Sequence, residues 1–118
     1  MKILYLTLTK EWFDLIVSGV KTVEYREIKP YWAKRLLNKD GTPKHFDAVH
    51  FRNGYGRSNP NALLEYQGLG VGRGRVEWGA PPDKDVFNLN LGEVLNVDYG
   101  KGNANGITKH HSVARGNQ

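Results

Sequence analysis

Segments with the pattern of strands dominate the chain after residue 40, whereas both segments with the pattern of helices come before it. Ile3–Thr9 alternates large apolar residues with others, and Lys21–Ile28 is a second strand-type segment. Lys10–Gly19 and Pro30–Asn38 instead have apolar side chains at helical spacing. Three more strand-type segments follow. This order predicts an α+β fold, a small mixed or antiparallel β-barrel with two or more short helices packed on it.

A chain of 118 residues is expected to form one domain. We place that domain at residues 1–99 and expect residues 100–118, which are rich in Gly and Asn and carry a basic excess, to form a flexible tail. The absence of cysteine excludes disulfides and thiolate metal sites. Because the N-terminus lacks the pattern of a signal peptide and no run approaches the roughly 18 apolar residues of a membrane span, we predict a cytoplasmic protein with no membrane partner.

The net charge of +5 is spread unevenly along the sequence. Residues 29–75 hold nine basic and three acidic side chains, whereas residues 76–99 hold one basic and five acidic side chains. A basic region of this kind is expected where one face of a protein meets an anion. It is also compatible with ordinary solvated lysines, and charge alone does not separate the two interpretations.

The short segment "KTVEYREI", residues 21–28, carries an unusual number of charges for a strand. Alternation places Glu24 and Arg26 on the same face, with Lys21 entering from the end of the preceding helix. One interpretation is an exposed ion pair, which would contribute at most about 1 kcal/mol to stability. The other is the mouth of a cleft, where the carboxylate accepts hydrogen bonds or acts as acid or base while the cations hold an anion.

The spacing Gly19-x-Lys21-x-x-Glu24-x-Arg26 resembles the signature of the ASCH domain, a relative of the PUA RNA-binding fold. The resemblance extends over roughly residues 3–92 and includes "EIKPYWAKRL", "FRNGY" and "VEWGAP". It implies a small PUA-like β-barrel with a cleft lined by the motif, and RNA, a nucleotide or a modified nucleoside as the partner. Lys21, Glu24 and Arg26 would line that cleft.

The resemblance also suggests an enzymatic alternative. Some small ASCH proteins remove the acetyl group from acetylated cytidine with a lysine in the position of Lys21 and a threonine nucleophile three residues later, where this chain has Glu24. Glu24 could instead activate a water molecule beside Lys21, which makes these two residues the catalytic candidates of a hydrolase. Other ASCH proteins are ribonucleases. A third alternative is a module that binds an acidic protein, and the sequence does not fix the oligomeric state.

Several residues beyond the motif are candidate ligand contacts. Tyr55, between Arg52 and Arg57 in the segment "RNGYGR", is the best candidate for stacking on a base, and Asn53 could contact a base edge. The same residues are also common in plain turns. The remaining candidate contacts are Arg52, Arg73 and Arg75.

Arg73 and Arg75 lie in a segment with glycines at positions 68, 70, 72 and 74. These four glycines would share one face of an extended strand. Such a face is expected either against a helix or barrel corner or against a ligand. The four histidines do not form a convincing ligand set, since a metal site needs at least three converging ligands. We therefore predict neither a metal nor a cofactor.

Overall fold

The structure, a computed structural model, describes residues 1–56 and 58–100. The predicted tail therefore lies outside the described residues except for Gly100. Within the described residues, the chain forms five strands, two helices and one turn of 3₁₀-helix at Val76–Trp78. The strands and helices are β1 (Ile3–Leu8), α1 (Lys10–Val17), β2 (Val23–Arg26), α2 (Pro30–Leu36), β3 (Ala48–Asn53), β4 (Asn61–Gly72) and β5 (Val86–Asp98).

The five strands form a single mixed sheet in the order β1-β3-β4-β5-β2. β1 and β3 are parallel, and the other three pairs are antiparallel. The sheet curls into a partial barrel with the two helices packed on it, which confirms the predicted α+β class. Because β1 and β2 are the two edge strands, the first two strands in the sequence lie at opposite ends of the sheet.

The core explains why the sequence patterns predicted the elements correctly. Alternate residues of β1, namely Leu4, Leu6 and Leu8, are buried, and α1 contributes Phe13 and Ile16 from one face. Leu36 at the end of α2 completes the cover of the sheet. α1 ends at Val17 with Ser18 as its C-cap, and Gly19 follows with a φ of 88°, a conformation that glycine adopts easily just past a helix end.

The prediction that the four glycines share one face of a strand is wrong. The pairing of β4 with β5 shifts register between Tyr66 and Leu69, and Gly68 in this bulge has a φ of 111°. β4 ends at Gly72, so Gly74 lies outside the sheet, against the ring of Tyr25. The segment Val86–Val97, predicted as a strand pair or one long bent strand, forms one strand that continues to Asp98.

Tyr66 offers a stability test within the core. Its hydroxyl is buried without a hydrogen-bond partner among the described residues, and burial raises its pKa from about 10 to about 12. We expect Tyr66→Phe to leave stability at pH 7 unchanged or to raise it by up to about 1 kcal/mol, because no hydrogen bond is lost. Urea unfolding at pH 7 measures this difference.

Tyr66→Phe should also change how the stability of the protein depends on pH in the alkaline range. The unfolded chain releases the Tyr66 proton near pH 10, whereas the folded protein holds it until about pH 12. The wild type therefore loses stability across this window, and Tyr66→Phe should lose less. Tyr5→Phe, which removes the hydroxyl of an exposed ring, is the control. A large loss of stability in Tyr66→Phe at pH 7 would contradict this account of the hydroxyl.

Candidate functional site

Lys21, Glu24 and Arg26 form one cluster of charges, with the glutamate in the middle. The Lys21 Nζ lies 3.0 Å from Glu24 Oε1, and the Arg26 Nη2 lies 2.8 Å from Glu24 Oε2. The side chains of Lys21 and Glu24 are only 2% and 7% exposed, whereas that of Arg26 is 16% exposed. The interpretation as an exposed surface pair is therefore wrong: burial makes each of these charges dependent on its partners.

The Lys21 ammonium is enclosed on several sides. Besides Glu24, it donates a hydrogen bond to the Trp78 carbonyl, and it lies 4.5 Å from the centre of a Trp12 ring and 5.3 Å from that of Tyr25. Strand alternation could not place this group, because β2 begins only at Val23. Lys21 thus joins β2 to a turn 57 residues away in the sequence.

Arg26 connects the two edges of the sheet. Its Nε donates to Glu24 Oε2 at 3.0 Å, and its Nη2 donates to the carbonyl of Thr7, on the outer edge of β1, at 3.0 Å. Its guanidinium carbon lies 4.7 Å from the centre of the Trp32 ring of α2. Among the described residues, its Nη1 has no hydrogen-bond partner, so Arg26 keeps donors for a ligand.

Arg35 approaches the same edge of β1 from α2. Its Nη2 donates to the Tyr5 carbonyl at 2.9 Å, and its guanidinium carbon lies 5.5 Å from the centre of the Trp32 ring. Its Nη1 makes a long contact of 3.5 Å with the Tyr31 hydroxyl. Arg26 and Arg35 thus occupy two carbonyls of an edge strand that would otherwise be open to pairing with another chain.

A cavity of about 400 Å³ lies between β1 and α2, and we call it the α2 cavity. Its described lining contains three cationic side chains and four aromatic ones but no carboxylate. The lining residues are Tyr5, Leu6, Thr7, Arg26, Lys29, Tyr31, Trp32, Arg35 and Tyr55. Cations attract phosphate, and aromatic rings offer surfaces for bases, so the lining suits a nucleotide.

Arg26 also borders a second cavity of about 250 Å³, the β2 cavity. This lining has mixed charge, since Glu27 lies 3.4 Å from Lys84. The charge of Lys29 and a hydrogen bond from Lys84 lower the pKa of Glu27, which keeps the carboxylate ionised. The mixed charge makes the β2 cavity a poorer fit for a phosphate than the α2 cavity.

The predicted site residues fall into three groups. Lys21, Glu24 and Arg26 come together as predicted, but only Arg26 lines the two cavities described above. Tyr55 is 89% exposed and lines the α2 cavity, as its prediction as a stacking residue requires. The catalytic roles of Lys21 and Glu24 stay predictions, with both side chains buried behind Arg26.

The other four predicted contacts lie apart from the linings of these two cavities in the described part of the chain. Arg52 donates to the Gly56 carbonyl, and Asn53 accepts a hydrogen bond from Asn59 at its own carbonyl, so both support the turn after β3. Arg73 lies 3.5 Å from Asp85, and Arg75 lies 3.2 Å from Glu77.

The candidate contacts predicted from the sequence did not include Tyr5, Lys29, Tyr31, Trp32 or Arg35, all of which line the α2 cavity. One signal could have found two of them, because Tyr31 and Arg35 stand four residues apart and therefore share a face of α2. The position of β1 beside that face depends on the fold, and no sequence pattern indicated it.

Among residues 1–56 and 58–100, no group of three or more His, Asp and Glu side chains could hold a metal ion. His110 and His111 lie outside the described residues. In the same ranges, no helix is both long and apolar enough to cross a membrane.

Comparison of the chain with protein-family models, with curated proteins and with solved structures gave no match.

Proposed function

We propose that the protein is a cytoplasmic ASCH-like domain of the PUA-related kind that binds RNA or a nucleotide in the α2 cavity. Arg26 is the member of the Gly19-x-Lys21-x-x-Glu24-x-Arg26 motif that meets the ligand. Lys21 and Glu24 position Arg26 without lining the cavity themselves. The Lys21 ammonium contacts Glu24, and Glu24 contacts the Arg26 guanidinium.

The observation that carries the proposal is the lining of the α2 cavity, with three cations, four aromatic rings and no carboxylate among its described residues. Cations and aromatic rings together are the usual means of binding single-stranded nucleic acid. The cavity of about 400 Å³ is also within the roughly 300–1,000 Å³ of small-molecule sites.

Tyr55→Ala tests whether the α2 cavity is the binding site. Tyr55 is almost fully exposed, so its removal should leave the fold unchanged. Loss of one stacked base costs about 1–3 kcal/mol, and we therefore expect the affinity for single-stranded RNA to fall about tenfold or more. Fluorescence anisotropy with a mixed-sequence labelled oligonucleotide measures this change.

Val71→Ala is the control variant, because Val71 is an exposed apolar residue on β4 that does not line the α2 cavity. Titrations at several salt concentrations should show affinity falling steeply as salt rises, since contacts with phosphates release counterions. Equal affinity of Tyr55→Ala and wild type would contradict the assignment of this cavity, and absence of RNA and nucleotide binding in the wild type would overturn the proposal.

The hydrolase alternative is tested in the same preparation. Incubation with acetylated cytidine and with the RNA pool, followed by chromatography, would detect release of acetate or cleavage of RNA. Binding without turnover supports the binding domain, whereas turnover supports the hydrolase. Binding of an acidic protein that RNA does not displace would favour the third alternative, the protein-interaction module.

A further inference from the structure

We infer that Arg26 and Arg35 form a paired-guanidinium site for a terminal phosphate, so that the ligand is a nucleotide phosphomonoester such as the 5′-phosphorylated end of single-stranded RNA or a nucleoside monophosphate. This inference rests on the proposed function and specifies its ligand. The two arginines come from different elements, β2 and α2, and meet at the outer edge of β1.

The edge of β1 sets the spacing between the two guanidinium groups. Arg26 donates to the Thr7 carbonyl and Arg35 to the Tyr5 carbonyl, two residues apart on one strand. At about 3.3 Å per residue these carbonyls lie about 6.6 Å apart on the same edge. The two Nη2 atoms that donate to these carbonyls are therefore separated by about one strand repeat.

A phosphate group fits across a gap of this size. Charge-assisted hydrogen bonds from guanidinium to phosphate measure about 2.8 Å, so one phosphate between the two groups can accept from both. The Arg26 Nη1 has no partner among the described residues, and Arg35 holds its Nη1 only by the 3.5 Å contact with Tyr31. Both residues line the α2 cavity and have donors available for a ligand.

The Trp32 ring holds the pair before any ligand arrives. The guanidinium carbons of Arg26 and Arg35 lie 4.7 Å and 5.5 Å from the centre of this one ring. Contacts of this kind between a cation and an aromatic ring are attractive. Because the carbonyls and the ring fix both side chains in advance, less conformational entropy is lost on binding.

The charge of the site favours a phosphomonoester over an internal phosphodiester. A phosphomonoester carries about −1.5 to −2 charges at pH 7, whereas each internal phosphate of RNA carries one. The described lining of the α2 cavity offers Arg26, Arg35 and Lys29 without a carboxylate among them. The exposed rings of Tyr31 and Tyr55 remain for the base or sugar next to that phosphate.

The test compares two single-stranded oligoribonucleotides of one sequence, labelled at the 3′ end, of which one carries a 5′-phosphate and the other a 5′-hydroxyl. We expect the wild type to bind the 5′-phosphorylated strand at least about tenfold more tightly. A nucleoside monophosphate should compete with it more strongly than the nucleoside or inorganic phosphate does, which also distinguishes a nucleotide from free phosphate as the ligand.

Arg35→Met should abolish the preference for the 5′-phosphate, so that the 5′-phosphorylated and 5′-hydroxyl strands bind this variant with about equal affinity. Arg75→Met is the matched control, because the Arg75 guanidinium also lies over a tryptophan, 4.6 Å from the Trp78 ring, and does not line the α2 cavity. Arg35→Lys keeps the charge without the paired geometry and should retain only part of the preference. Circular dichroism and the urea midpoint confirm that each variant is folded.

The outcomes separate this inference from the proposed function. Equal binding of both strands, or a preference that survives in Arg35→Met, overturns the phosphate site. If the phosphate site is overturned but both strands bind more weakly to Tyr55→Ala than to the wild type, the proposed function stands without the phosphate site. Failure of both strands and of the monophosphate to bind overturns both conclusions.

Discussion

Glu24→Gln is expected to lower the free energy of unfolding by about 3–5 kcal/mol, the cost of leaving a buried charge without its counter-charge. Glu24 is the carboxylate that both Lys21 and Arg26 contact, at 3.0 Å and 2.8 Å. The glutamine amide keeps a similar shape but not the negative charge, so the buried Lys21 ammonium loses its ionic partner. Urea unfolding followed by tryptophan fluorescence measures the change.

Two further variants make this prediction specific. Glu27→Gln removes a carboxylate from the same segment, but Glu27 is half exposed between Lys29 and Lys84, so this control should change stability little. The double variant Lys21→Met/Glu24→Leu replaces both buried charges with apolar side chains and should recover much of the loss. If Glu24→Gln and Glu27→Gln lowered the free energy of unfolding equally, the prediction that burial makes the Glu24 ion pairs important for stability would be contradicted.

Gly74→Ala is expected to lower the free energy of unfolding by up to about 3 kcal/mol, because the added methyl group has no space. A Cβ at Gly74 would lie 2.5 Å from the Tyr25 ring and 2.7 Å from the Ala80 Cβ. Neither neighbour can yield easily, since Ala80 is buried and the Tyr25 hydroxyl accepts a hydrogen bond from the Arg75 backbone at 3.0 Å. The variant should also displace Tyr25 from Lys21.

Gly72→Ala is the matched control from the same run of glycines. No atom lies within 4 Å of a Cβ built there, so its stability should equal or slightly exceed that of the wild type. Urea unfolding of both variants gives the comparison. If Gly74→Ala were as stable as Gly72→Ala, the close packing of Tyr25 against Gly74 would be contradicted.

Local patterns in the sequence were sufficient to predict the helices and strands and to place one pair of site residues, Glu24 and Arg26, side by side. Alternation placed Glu24 and Arg26 on one face of β2, and the structure brings their side chains within 2.8 Å. Helical spacing predicted that α1 would bury apolar side chains, as Phe13 and Ile16 do. These predictions were correct because each depends on a backbone period of two or 3.6 residues, which short segments carry on their own.

The prediction for the glycine segment failed because it extended the two-residue period of a strand beyond the point where the strand is regular. The glycines from Gly68 to Gly74 would share a face only if the strand continued unbroken, but the bulge at Gly68 changes the register and β4 ends at Gly72. Arg52 and Asn53 suited either a ligand-binding turn or a plain turn; both support the turn after β3, and their ligand contacts stay predictions. Sequence alone does not show which groups a turn residue will contact.

The sequence by itself determined the α+β class, the apolar face of α1 and the neighbouring positions of Glu24 and Arg26. Only the tertiary structure decided that Lys21 is buried against the Trp78 carbonyl and that Arg26 and Arg35 meet over Trp32 at the edge of β1. The reason is distance along the chain: Arg26 lies 19 residues from Thr7, Arg35 lies 30 from Tyr5, and Lys21 lies 57 from Trp78. Contacts across such separations follow from how the sheet curls and the helices pack, which no short pattern encodes.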